Sequence, residues 1–165
     1  VFSQCDFSNS DLSEIKFIDC EFKSCDLSLA KINGTAFRDV KFKECKMLGL
    51  RFDTCHDFGL AFSFEGCVVN HCSFVARKLK KISFKNSKLQ EADFTDSDLT
   101  GAVFEGCDLN RTIFENTILE KADLRTAFGF SIDPETNKIK RAKFSLTGLP
   151  GLLGKYDIEI DEQLT

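Results

Sequence analysis

Three consecutive stretches, Phe94-Thr-Asp-Ser-Asp-Leu99, Phe104-Glu-Gly-Cys-Asp-Leu109 and Phe114-Glu-Asn-Thr-Ile-Leu119, put a large apolar residue at every fifth position. Five matches neither the helical repeat of about 3.6 nor the strand repeat of about 2. The pattern runs through most of the chain. With the apolar residue taken as the centre of each pentapeptide, centres fall at every fifth position from Phe2 to Phe52 and again from Phe64 to Leu124, twenty-four in all. The step from Phe52 to Phe64 is twelve rather than ten, so two residues are inserted there. Most of the 18 Phe residues are centres.

A second inward position lies two residues before each centre. It holds small side chains such as Cys5, Ser10, Cys25, Ala30, Thr35, Ser87, Ala92, Ser97, Ala102 and Thr117. One large and one small residue in five therefore point inward, and the others face water. A repeat this short is the mark of a solenoid, in which each unit buries its apolar side against its neighbours. A twenty-residue period fixes the cross-section. Phe2, Phe22, Phe42, Phe64, Phe84, Phe104 and Leu124 fall on one line, and Leu12, Ile32, Phe52, Phe74, Phe94 and Phe114 on another. Four pentapeptides then make one coil, and coils stacked at about 4.8 Å give a rod roughly 30 Å long.

These residues resemble the pentapeptide-repeat family, whose pattern is small residue, Asp or Asn, Leu or Phe, polar, variable. The resemblance covers about 1–127. It implies an all-β solenoid, a right-handed quadrilateral β-helix of about six coils, with a C-terminal cap containing a short helix. Domain organisation follows: 1–127 as the β-helix, with an irregular insertion at 53–63, and 128–165 as a final partial coil, loop and cap.

Of the eight cysteines (5, 20, 25, 45, 55, 67, 72 and 107), seven sit two before a centre, the small inward position, and Cys55 joins them when the first frame is continued into the insertion. Buried free thiols acting as small apolar fillers account for this, and reduced buried thiols suit a cytoplasmic setting. His56 and His71 fall at outward positions, so no metal site and no cofactor is expected. No phosphate-binding loop, nucleophile elbow or zinc-protease motif occurs, and a bore filled with Phe and Leu leaves no substrate cavity. The chain reads as a non-enzyme. No stretch is apolar for long enough to span a membrane. The formal net charge of −4 argues against a general nucleic-acid binder, so no direct nucleic-acid contact is expected.

Breaks in the pattern mark candidate contact residues. Insertion 53–63 carries Phe58 and Phe62, either as a local apolar cluster or as a protruding loop. One coil on, Arg77 occupies a small inward position, from which it is expected to bend out and stack on the loop. Lys78, Lys80 and Lys81 beside it form a basic patch, read as a solvated face or a binding surface. Residues 89–124 carry a local net charge of −7, and Asp93, Asp96, Asp98 and Asp108 are the candidates there for a partner surface. At the C-terminus, a loop surrounds Asp133-Pro134, a short helix is expected within 147–156 with Thr147 as N-cap, and the tail Tyr-Asp-Ile-Glu-Ile, 156–160, is a candidate last strand. Leu149, Leu152, Leu153 and Tyr156 are candidates for capping or for a homodimer contact.

The resemblance extends to the quinolone-resistance (Qnr-type) members, dimeric rods that mimic duplex DNA and bind DNA gyrase or topoisomerase IV. It implies surface recognition of a protein partner, with a type II topoisomerase as one candidate and a homodimer through the C-terminal end as another feature. The alternative is a structural or scaffolding module with an unrelated partner at 53–63 and 77–81.

Overall fold

The computed structural model describes residues 1–57 and 60–161. The chain winds as a right-handed quadrilateral β-helix, with its four faces named here for the centres of one coil: Phe84, Leu89, Phe94 and Leu99. The Phe84 face is a parallel sheet of six strands, β1 (Phe2–Ser3), β3 (Glu21–Lys23), β5 (Val40–Lys43), β6 (Phe62–Glu65), β7 (Ser83–Lys85) and β8 (Val103–Glu105), paired in that order. The Leu99 face begins as a second sheet, β2 (Lys16–Ile18) with β4 (Ala36–Arg38). Single parallel bridges twenty residues apart carry the remaining faces, among them Ser73–Asp93, Lys78–Asp98 and Lys88–Asp108.

Register puts like on like. Phe2 pairs with Phe22, Phe22 with Phe42, Phe42 with Phe64, Phe64 with Phe84 and Phe84 with Phe104. Their rings stack with centroids 4.8 to 5.4 Å apart. Phe52, Phe74, Phe94 and Phe114 form a second stack, at 4.7, 4.8 and 5.6 Å. The two stacks meet edge to face, as at Phe84 and Phe94, 5.9 Å apart with planes at 80°. Offset stacking within a column and edge contacts between columns are the arrangements that aromatic quadrupoles favour. The bore is filled: Phe22, Phe74, Phe84, Phe94, Leu99, Phe104 and Leu109 are fully buried.

Corners come in two kinds. In the coil that starts at Phe84, three corners close with a bond back across the turn, Ala92 N–H to Leu89 O, Ser97 N–H to Phe94 O and Ala102 N–H to Leu99 O. Glu91, Asp96 and Gly101, the third residues of these turns, all have positive φ, which a type II turn demands. The corner after the Phe84 face stays open, and its free N–H takes a side-chain acceptor from the next coil instead. Cys5 N–H bonds Cys25 Sγ at 3.4 Å and Cys67 N–H bonds Ser87 Oγ at 3.1 Å. The thiols donate in turn to main-chain oxygens, Cys45 to Phe22 O and Cys67 to Phe42 O, each at 3.4 Å. The cysteine column is thus more than filler, because an unpaired buried N–H costs about 1–3 kcal/mol and Cys or Ser removes that cost.

The two-residue insertion truncates the Leu99 face. Ala61 continues it, donating its N–H to Phe37 O and accepting from Val40 N–H. Phe62, paired with Val40, turns inward to 8% exposure and meets Phe37, Phe52 and Phe64 with ring centroids 6.1, 5.2 and 5.3 Å away. It fills the space left by the missing centre. Phe58 lies outside the described residues.

The C-terminal cap differs in detail from expectation. A 3-10 helix covers Leu146–Leu152 and a second Gly154–Tyr156. Ser145, not Thr147, is the N-cap, accepting from Gly148 N–H at 3.1 Å. The helix lies directly on Phe130. A Cβ on Gly151 would stand 2.5 Å from Phe130 O, so the glycine is required by close approach. The segment 157–161 forms no strand, because Asp157 turns into the left-handed region, φ 50°, and leads the chain away from the last rung.

Candidate functional site

Arg77 organises the irregular side. Its guanidinium donates through Nη2 to Asp53 O and through Nη1 to Cys55 O (3.3 Å) and to the Asp57 carboxylate. The side chain is 15% exposed. Every other described residue in its column is neutral: Ile15, Thr35, Cys55, Ser97, Thr117 and Asn137. Arg77 reaches the loop and ties down its entering limb, residues 53–57. Asp57, Leu60, Ala76, Arg77 and Lys78 line a surface hollow of about 300 Å³ beside it.

The basic and acidic candidates do not gather on one face. Lys78 and Lys80 lie on the Leu99 face, Lys81 at its corner with the Phe84 face. Asp93 lies on the Phe94 face, Asp98 on the Leu99 face, Asp108 on the Leu89 face, and Asp96 at the corner between the Phe94 and Leu99 faces. Three of the four acids are occupied locally. Asp93 accepts from Thr95 N–H at 2.8 Å, Asp98 from Thr100 N–H at 3.0 Å, and Asp108 from Asn110 N–H at 3.1 Å. The same bond recurs at Asp6, Asp11, Asp26, Asp123 and Asp133. Asp before a centre is therefore an Asx turn that holds the N–H after the centre. Burial acts to raise Asp98 and Asp108, but hydrogen bonds outweigh it. Thr100 with Lys80 holds Asp98, and Asn110 with Gln90 holds Asp108, below the usual carboxylate range. The sequence signal was present as Asp-x-Ser, Asp-x-Thr or Asp-x-Asn.

Charges also pair between coils: Glu21 with Lys43 at 3.0 Å, Asp26 with Lys46 at 3.2 Å, Asp98 with Lys80 at 3.3 Å and Glu91 with Arg111 at 3.5 Å. Much of the local excess of acid is balanced in this way by the coil beside it. Asp96 and Glu115 remain exposed, neither of them in an ion pair.

Burial restrains thiol chemistry at Cys55, Cys72 and Cys107. It pushes Cys55 and Cys72 up to about 12 and Cys107 up to about 11. At Cys67 the hydrogen bond shared with Cys45 raises the thiol and burial adds to it. Cys5 and Cys20 are half-buried. Among the described residues, no group of three or more His, Cys, Asp and Glu is placed to hold a metal ion, and no helix is long and apolar enough to cross a membrane.

At the cap, Leu152 packs on the core, Leu153 is half-buried, and Leu149 and Tyr156 are 41% and 49% exposed. Lys155 clamps the loop beneath, 2.8 Å from Asp133 and 2.7 Å from Glu135, while Tyr156 O–H donates to Glu135 at 3.0 Å.

A coil of four pentapeptides with stacked apolar centres defines the class, and comparison with known proteins agrees. A family model described as a pentapeptide repeat region matches residues 1–63, and one described as pentapeptide repeats (8 copies) matches 78–116 and 87–125. The chain belongs to the pentapeptide-repeat proteins. Two trypsin-treated variants of QnrB1, a plasmid-mediated fluoroquinolone resistance protein, are similar in structure, with TM-scores of 0.71 and 0.72. Each match covers 97% of this chain and 87% of the other at 19% sequence identity, so what they share is the fold. No curated protein matches the chain.

Proposed function

We propose that this protein is a non-enzymatic rod that acts by recognising a protein partner through its surface. The observation that carries the reading is the filled bore. Two Phe stacks and the Leu columns occupy the interior, so chemistry is left to the outer positions of each pentapeptide. Buried, proton-retaining thiols suit a reducing, cytoplasmic compartment.

A type II topoisomerase, gyrase or topoisomerase IV, is the partner to test first. The rod has the fold of QnrB1 along nearly its whole length, and Asp96 and Glu115 offer exposed acid on and beside one face. Exposed Leu149 and Tyr156 at the cap are the contact proposed for a homodimer. The assay is gyrase supercoiling with purified protein, with and without a fluoroquinolone. Inhibition or drug protection at low micromolar protein, weakened by Asp96→Asn with Glu115→Gln, is the expected result. No effect at tens of micromolar would overturn the topoisomerase reading. That outcome would favour a scaffold whose partner docks at the hollow beside Arg77, where an anchored loop breaks the repeat.

A further inference from the structure

The corner between the Leu99 and Phe84 faces carries a feature that the whole-chain charge conceals. Lys81, Gly101, Lys121 and Arg141 stand in one column, each with positive φ. Main-chain bonds hold the register: Lys81 N–H to Thr100 O, Gly101 N–H to Glu120 O and Lys121 N–H to Lys140 O. Lys78 and Lys138 stand in the adjoining column, linked through Asp98 and Ile118 by successive bridges. Six cations, Lys78, Lys81, Lys121, Lys138, Lys140 and Arg141, are exposed along this ridge without an ion pair. Three acids lie among them. Asp98 is held by Lys80, and Asp123 by Arg125 at 2.7 Å, which leaves Glu120. The acids Asp93, Asp96 and Glu115 are on or beside the Phe94 face, across the Leu99 face from Lys81, Lys121 and Arg141, while Asp96 at the near corner adjoins the column of Lys78 and Lys138.

We propose that this ridge docks on the sugar-phosphate backbone of duplex DNA. A rung spacing of about 4.8 Å sets Lys81, Lys121 and Arg141 along a line about 15 Å long, with Gly101 as its uncharged second rung. A linear polyanion with evenly spaced charges complements such a row. Among the described residues, the ridge carries no exposed large apolar side chain, which the centre of a protein interface or insertion into a lipid surface calls for. Nor, among the described residues, does it carry an aromatic side chain on which unpaired bases would stack. Lysine predominates, which gives point contacts to phosphate without base readout. Contact is therefore sequence-independent and electrostatic, centred on the Lys81, Lys121 and Arg141 corner, with the Phe94 face turned away from the duplex. The proposal does not depend on the topoisomerase reading, because it concerns DNA alone.

Fluorescence anisotropy of a labelled 20-base-pair duplex, titrated with the full chain across salt concentrations, tests it. Binding at 50 mM salt is expected, with affinity falling about a thousandfold by 200 mM and a log–log slope of about −5 for six phosphate contacts. Lys121→Glu with Arg141→Glu should weaken binding at least tenfold and flatten the slope, while circular dichroism and melting temperature stay unchanged. Asp96→Asn should leave binding intact or tighten it. No binding at 100 µM protein and 50 mM salt would overturn the proposal, as would wild-type affinity in the double variant. Tighter capture of single-stranded DNA, of phosphatidylserine vesicles or of polyglutamate would overturn the choice of duplex DNA as the occupant.

Discussion

Coils 64–124 and the irregular side at 53–61 solve the same problem differently. In the regular coils each backbone group finds its partner by position, in the turn or twenty residues on, and rings such as Phe84 find a like ring above and below. At the insertion that bookkeeping fails for one coil, and two side chains stand in: Phe62 fills the bore and Arg77 holds the loop. Stability in the regular coils is shared among many equivalent contacts, whereas at the insertion it rests on single residues.

That contrast can be broken at either side. The largest loss is expected from Phe94→Ala, which opens a cavity between Phe74 and Phe114 and where the two stacks meet. Truncating a buried Phe costs about 3–5 kcal/mol, readable in urea or thermal unfolding. Arg77→Ala should come next. It removes the donor to the carbonyls of Asp53 and Cys55, and an unsatisfied buried acceptor costs about 1–3 kcal/mol. Limited proteolysis should then cut within 53–61 while the regular coils resist. Cutting elsewhere first would show that the loop is not held by Arg77. A smaller effect tests the open corner: Cys67→Ala should cost about 1 kcal/mol, and Cys67→Ser should recover most of it. Equal stability of the two would mean that the thiol is only a filler.

Lys155→Ala should have the smallest effect, with a pH signature. The Lys155 ammonium holds Asp133 and Glu135 below the usual carboxylate range, with the Glu135 N–H and Tyr156 assisting, and is itself raised by them. Depressed carboxylates stabilise above their unfolded values of about 4 and lose that contribution as pH falls through the folded values. The raised lysine keeps its contribution up to about pH 10 and loses it above. The melting difference between wild type and Lys155→Ala should therefore be present at pH 7 and vanish towards pH 2. A difference that persists there would assign Lys155 a packing role.

The coil itself was legible because period, register and burial are one fact in a solenoid. Once Phe84 falls twenty after Phe64, the ladder follows. Arg77 was legible as a charge where the column wants a small neutral side chain. Other features depend on geometry that spacing does not encode. Whether the N–H of Cys67 closes its turn or needs Ser87 is decided by turn type, so the thiols read as filler alone. Asp98 and Asp108 read as partner contacts, although each bonds a main-chain N–H two residues on. Ser145 displaced Thr147 as the cap because the glycines let the helix start early and lie flat on Phe130. The tail 156–160 alternates like a strand, but Asp157 turns it off the last rung. The basic ridge was invisible because its members are scattered from 78 to 141 and only the twenty-residue register brings them together.

That register has a consequence for how such rods change over generations. Duplicating or deleting one block of twenty residues returns every later side chain to its own face and column, so the rod can lengthen or shorten in whole-coil quanta with its charged edges intact. A gain of two residues has no such neutrality. Here it is accompanied by a clamp at Arg77 and a plug at Phe62, which would have to arise nearly together. Variation in length should therefore be plentiful in steps of twenty, and loops like 53–61 should be rare and travel with their own arginine.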